Sequence, residues 1–245
     1  MATTKIPAFP KAGLQFLKSL KRNNRREWFQ NHKEEYEDQV RIPMESIVEA
    51  IAPELERFAS DLQASRKASL YRIYRDTRFS KDKRPYKTHV AAGFPPSGLE
   101  RHQGAGLYFH IAPGEFLIGG GLYSPEPQDL LAVREQIAEH YLQFRSIITA
   151  PRFKKMLGEI QGEQLIRVPR NYPKDHPAEF YLRLKQYLAA RKFPAEVSTT
   201  AQFGTIVLET FRALYPFIRF LNEPIRIQRK KREFWIDAVP RRHGL

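Results

Sequence analysis

The sequence predicts an α+β fold, with a mainly antiparallel central sheet packed by N-terminal and C-terminal helices. Helical spacing fills the first third of the chain, a period of two with turn signals takes over in the middle, and helical spacing returns toward the end. Blocks of helices, then strands, then helices argue against the regular alternation of a parallel α/β sheet.

In the first third, Leu14, Leu17 and Leu20 recur every third residue. Asn24, followed three positions later by Glu27, has the form of a capping box opening a helix that carries Trp28, His32, Tyr36 and Val40 on one face. Met44, Ile47, Val48, Ile51, Leu55 and Phe58 continue the spacing after Pro43, and Pro53 is expected to kink or restart the run. In the middle, residues 70–76 and 88–94 read as strands, while 106–112 and 115–122 flank Pro113-Gly114 as a hairpin. Ser124 is expected to cap a helix with Pro125 at its first position, leading into Leu130, Val133, Ile137 and Tyr141.

The last third begins with a polar, Pro-broken interval over 158–177, with one short strand near 165–168. A helix is expected over 180–188. Phe203, Val207, Phe211, Leu214, Ile218 and Leu221 then mark a long helix packed on the sheet and kinked near Pro216. Residues 13–225 are expected to form one domain, and 226–245 a basic C-terminal tail that Phe234, Trp235 and Ile236 anchor back onto it.

The charge is clustered. Of a formal +14, residues 66–89 supply nine Lys/Arg against two Asp, and residues 226–245 seven against two. Clustered charge makes a local potential that holds an anionic partner, whereas dispersed charge mostly affects solubility. The absence of Cys excludes disulfides, thiolate zinc sites, iron–sulfur clusters and a cysteine nucleophile. The start MATTKIPAFPKAG lacks a signal peptide's apolar core, and no window approaches the roughly 20 apolar residues that span a bilayer. A cytoplasmic protein without cofactor is expected. The seven His are scattered, so no metal site is expected either.

Strand alternation over 70–76 places Arg72, Tyr74 and Asp76 on one face and Tyr71, Ile73 and Arg75 on the other. Arg78, Lys81, Lys83, Arg84 and Lys87 follow in a loop interrupted by Phe79 and ended by Pro85-Tyr86. Arginine forks match phosphate and carboxylate oxygens, lysine adds a point charge, and aromatic rings stack on bases. The candidate ligand residues are therefore Arg72, Tyr74, Arg75, Arg78, Lys83, Tyr86, Lys87 and, from the hairpin, Tyr108. A plainer reading pairs Asp76 and Asp82 with neighbouring cations in solvated networks that contribute only ~0–1 kcal/mol each.

His110, on one strand face with Tyr108, is a candidate acid or base, with Asp76 the other; the plainer reading is a hydrogen-bonded sheet histidine. Gly119-Gly120-Gly121 fits neither the dinucleotide fingerprint nor the Walker loop and is read as close packing or a bulge.

Three blocks, NNRREWFQNHKEEYE, RIYRDTRFSKDKRPYKTHVAAGF and GLYFHIAPGEFLIGGGLYSP, resemble the motifs of a bacterial and fungal family, the domain of unknown function 2461. The resemblance runs from about Gly13 to Asn222 and implies a shared fold and site without supplying a substrate. Three functions fit these residues: binding of a phosphate-bearing small molecule or nucleic acid; an enzyme on an anionic substrate with Asp76 or His110 as acid or base; and a scaffold docking an acidic protein.

Overall fold

A computed structural model describes residues 5–99 and 103–238, with side chains through residue 230. Pro10 stands extended ahead of α1 (Lys11–Arg22), which buries Leu14, Phe16, Leu17 and Leu20 and ends on Lys21 and Arg22, where cations suit the helix dipole. Two short helices follow, α2 (Arg26–Asn31) and α3 (Lys33–Tyr36), then a π turn over Glu37–Arg41 that leads into α4 (Ile42–Phe58). Phe29, Tyr36 and Val40 are buried, whereas Trp28 is half-buried and stacks on His32 at 4.1 Å. α4 runs through Pro53 as one element, because Met44, Ile47, Val48, Ile51 and Leu55 are all buried along one side of it.

After the one-turn α5 (Arg66–Ser69) come β1 (Val90–Phe94), β2 (Gly106–Ala112) and β3 (Glu115–Leu122). With β4 (Tyr187–Phe193) they form an antiparallel sheet in the order β1-β2-β3-β4. The hairpin turns at Pro113-Gly114, with Ala112 opposite Glu115. Burial alternates along β2: Leu107, Phe109 and Ile111 are enclosed, whereas Gly106, Tyr108, His110 and Ala112 are half-buried.

The enclosed face packs on α10 (Phe203–Ala238): Phe203 meets Phe109 and Phe116 at 5.9 and 5.2 Å, and Phe211 meets Phe94 at 5.3 Å. Between β3 and β4 lie α6 (Pro127–Glu139), α7 (Tyr141–Thr149), α8 (Pro151–Leu157) and α9 (Glu179–Leu182). Phe144 of α7 and Phe153 of α8 reach Phe217 on α10. Both sheet edges are covered by isolated bridge pairs, Leu70 with Ala92 and Gln161 with Leu188, which occupy the backbone groups that an open edge exposes.

Five local expectations are revised. Residues 70–76 form no strand; Tyr71 N–H reaches Ala91, but Ile73 and Arg75 pair with 85–87, and Pro85 has no N–H to extend that ladder. The helix expected over 180–188 stops at Leu182, because Tyr187 and Ala189 are drawn into β4 and fully buried beside β3. The strand near 165–168 does not form. α6 begins at Pro127 with Glu126 rather than Ser124 at its cap. α10 continues through Pro216 and Pro224, so the boundary drawn at 225 falls inside a helix.

Within that helix Arg226 bonds Asp61 and Arg229 bonds the buried Asp129 at 2.8 Å. The side chains of Phe234, Trp235 and Ile236 lie outside the described residues. No helix among the described residues is long and apolar enough to cross a membrane.

Candidate anion-binding site

Residues 73–87 fold back on themselves as an irregular ribbon. Lys87 N–H donates to Ile73 O at 2.8 Å, Arg75 N–H donates to Pro85 O at 2.9 Å, and Tyr74 lies opposite Tyr86. Although the ladder is short, the expected alternation is present: Ile73 is buried, and Arg72, Tyr74 and Asp76 face outward. Arg72 makes no ion pair among the described residues.

The loop at the ribbon's tip is shaped by its two carboxylates. Asp76 accepts from the backbone N–H of Arg78 at 3.1 Å and from its guanidinium at 3.0 and 2.7 Å. Asp82 accepts from the N–H and guanidinium of Arg84 and from Arg75 at 2.6 Å. Arg78's side chain, then its N–H, draws the Asp76 carboxyl down to about 2, and Arg84 with Arg75 holds Asp82 well below the ordinary carboxylate range. Both are therefore anions at neutral pH and poor bases there, and the acid–base role considered for Asp76 is left without a group that titrates near neutrality.

Tyr86 belongs to the core. Its ring is 2% exposed and stacks on Phe29 at 4.1 Å, so it offers no surface to a ligand. Its backbone is held by Asn24, whose Nδ2 donates to Tyr86 O at 2.9 Å and whose Oδ1 accepts from Tyr86 N–H at 3.1 Å. That is why the expected capping box is not made: the Asn24 amide is occupied, and α2 starts from Arg25 with no side-chain cap.

The clamp brings the start of α2 against the ribbon loop. Between 24–26 and 77–85 lies an open depression of about 510 Å³ whose walls carry Arg25, Arg26, Lys83 and Arg84 and, among the described residues, no carboxylate. Lys83 Nζ also donates to Thr77 O at 3.0 Å, and Arg84 shares Asp82, but Arg25 and Arg26 make no ion pair among the described residues.

The base of the ribbon meets a second polar cluster on the half-buried sheet face. Tyr108 sits in register between Gly93 and Gly119. Tyr71 lies over Gly93, where a Cβ would come within 3.1 Å of the Tyr71 hydroxyl, and its ring meets Tyr108 edge-on at 6.0 Å. Lys87 Nζ stands 5.3 Å from the Tyr71 ring centroid.

A hydrogen-bonded chain then crosses the hairpin, from Tyr108 Oη to His110 Nδ1 at 3.1 Å, from His110 Nε2 to Glu115 Oε1 at 3.1 Å, and from Lys192 Nζ to Glu115 Oε2 at 2.9 Å. Lys192, then His110, lowers the Glu115 carboxyl, while burial raises the Tyr108 phenol. An anionic Glu115 accepts Nε2–H, which leaves Nδ1 as the acceptor of the Tyr108 hydroxyl; the network fixes this tautomer. His89, 5.2 Å from the His110 ring, is lowered to about 4 by burial first, with His110 and Lys87 adding to it.

A family model described as "Conserved hypothetical protein (DUF2461)" matches residues 12–220. The chain belongs to this family. Comparisons with curated proteins and with solved structures returned no match.

The DUF2461 region holds both clusters, and the candidate residues divide between them. Arg75, Asp76, Arg78 and Lys83 lie at the ribbon tip; Lys87, Tyr108 and His110 lie at its base. Sequence reasoning missed Arg25 and Arg26, although the NNRR run was available as a second basic signal 40 residues ahead of the main one. It also missed Glu115 and Lys192, the latter because the helix expected over 180–188 ended short of it and no strand was expected there.

Proposed function

We propose that this DUF2461 protein binds a phosphate-bearing anion in the depression between residues 24–26 and 77–85. The observation that carries the reading is the convergence of Arg25, Arg26, Lys83 and Arg84 from two distant segments onto one concavity with no carboxylate among the described residues of its wall. Arginine forks suit phosphate oxygens, and two of these arginines have no competing anion. Arg72 is a further exposed cation on the same ribbon, while Arg75, Arg78 and the two aspartates hold the loop's shape.

Calorimetric titration with pyrophosphate tests the reading. Arg25→Ala/Arg26→Ala is expected to weaken binding by roughly a hundredfold or more, at ~1.5–3 kcal/mol for each of the charged hydrogen bonds removed. Affinity should also fall as salt rises. Unchanged binding in the double variant would refute the proposal.

A second reading is favoured by the Tyr108–His110–Glu115–Lys192 chain, which suits removal of a proton from a substrate hydroxyl: Tyr108 takes that proton as its own passes to His110 Nδ1, and Glu115 stabilises the imidazolium that forms. On that reading, Tyr108→Phe and His110→Ala each abolish turnover in a panel of phosphorylated and carboxylated compounds while leaving pyrophosphate affinity intact. Turnover that survives both variants excludes it.

A further inference from the structure

We propose that the anion is single-stranded nucleic acid, with phosphates on Arg25, Arg26, Lys83 and Arg84 and a base stacked on Phe79; this rests on the anion-binding reading above. Phe79 is 96% exposed at the tip of the ribbon loop, next to Arg78, whose guanidinium lies 5.8 Å from the ring centroid. A lone exposed apolar residue needs no explanation. Here, however, the ring is presented by a built loop. Asp76 and Asp82 bond the backbone N–H groups of Arg78 and Arg84, and Ser80 Oγ accepts from Asp82 N–H at 3.2 Å. A loop fixed in this way loses little entropy when its tip is covered.

The loop that carries the ring is tied to the cationic wall. Lys83 bonds the carbonyl of Thr77 and, at 3.5 Å, that of Arg78, so the residue preceding Phe79 is tied to a side chain that lines the depression. Tyr74, 48% exposed on the same ribbon, gives a second aromatic surface.

An open cationic groove flanked by exposed rings is how single strands are held without sequence readout, since every unpaired base offers a π face. A duplex hides those faces, and the loop offers no helix to enter a groove. Sites for small ligands are usually more enclosed than this. An acidic membrane is a poorer match, because the loop bears one apolar ring and two carboxylates where interfacial anchors carry a broad apolar face.

Fluorescence anisotropy tests the assignment, using a labelled oligothymidylate of roughly 15 nucleotides, an abasic strand of equal length and a duplex. Four phosphate contacts on a single strand predict a log–log salt slope of about −3 between about 50 and 200 mM salt, halved in Arg25→Ala/Arg26→Ala. Phe79→Ala is expected to weaken oligothymidylate binding by roughly tenfold, leave the abasic strand unchanged and keep pyrophosphate affinity; Phe79→Trp restores the loss. Equal affinity of wild type for the thymidylate and abasic strands, or no effect of Phe79→Ala, overturns the inference while pyrophosphate binding still reports on the anion site. Binding to phosphatidylserine vesicles or to the duplex in preference to the single strand overturns it as well.

Discussion

Asn24→Ala isolates the contact on which the anion site depends. The Asn24 amide makes two buried hydrogen bonds, at 2.9 and 3.1 Å, to the carbonyl and N–H of Tyr86, a residue 62 positions away. Truncation removes both and leaves two backbone groups without partners, at ~1–3 kcal/mol apiece when they stay dry. Asn24 borders the open depression, so water re-solvates part of this loss, and the expected destabilisation is about 2 kcal/mol. Asn24→Asp keeps the acceptor for Tyr86 N–H but sets a second oxygen against the Tyr86 carbonyl. It should lose a similar amount at pH 7 and recover below about pH 4, where the protonated acid becomes a donor. Urea unfolding at both pH values measures this. In the folded Asn24→Ala protein, pyrophosphate affinity should also fall although no cation has been removed, because Arg25 and Arg26 are no longer held opposite Lys83 and Arg84. An Asn24→Ala variant of wild-type stability and affinity would refute the clamp.

Two further outcomes follow from buried groups elsewhere. His89 is lowered from 6.5 to about 4, so the unfolded chain takes up this proton first as pH falls; its contribution is complete above about pH 6.5 and declines below it. Between pH 6.5 and 5, above the carboxylate range, stability should drop by about 2 kcal/mol, and His89→Gln should flatten that slope; a His89 Cε1–H NMR titration centred near 6.5 would contradict the account. Gly121 has φ +135°, and a Cβ there would overlap the Tyr187 carbonyl oxygen across the β3–β4 pair. Gly121→Ala is expected to cost about 3 kcal/mol or more and to speed amide exchange in β4, whereas an unchanged thermal midpoint would mean the strands are less tightly apposed than drawn.

The elements legible in the sequence were those whose signal is local. Leu14, Leu17 and Leu20 have one helical face to bury, and the Pro113-Gly114 turn fixes its own strands in register. Elements decided by distant partners were misread. Tyr187–Phe193 has no turn signal of its own and becomes a strand because β3 accepts it through Gly119 and Gly121, where side chains would collide with its backbone. The same holds for the site. The basic run at 66–89 was plain from composition, but its partner Arg25-Arg26 is joined to it by Asn24, a residue that local pattern assigns to a helix cap.

The fate of Tyr86 explains how core and site are coupled. A tyrosine amid Lys and Arg reads as a ligand residue, yet its ring packs on Phe29 while its main chain is held by Asn24. The ring thereby anchors the C-terminal end of the ribbon in the core, and the ribbon carries outward the loop that bears Phe79 and Lys83. The loop's charges would repel one another if left free. Asp76 and Asp82 neutralise Arg78 and Arg84 in part and turn the chain at both ends, and the unpaired positive charge is left on Arg25 and Arg26 across the depression. Such an arrangement separates the residues that shape the site from those with charge to spare. It follows that replacing Asp82 with Ala, which removes the acceptor of Arg84 N–H and of the Arg75 and Arg84 guanidinium groups, should loosen the loop and speed amide exchange at Arg84, whereas replacing Arg25 with Ala should weaken anion binding and leave the loop in place.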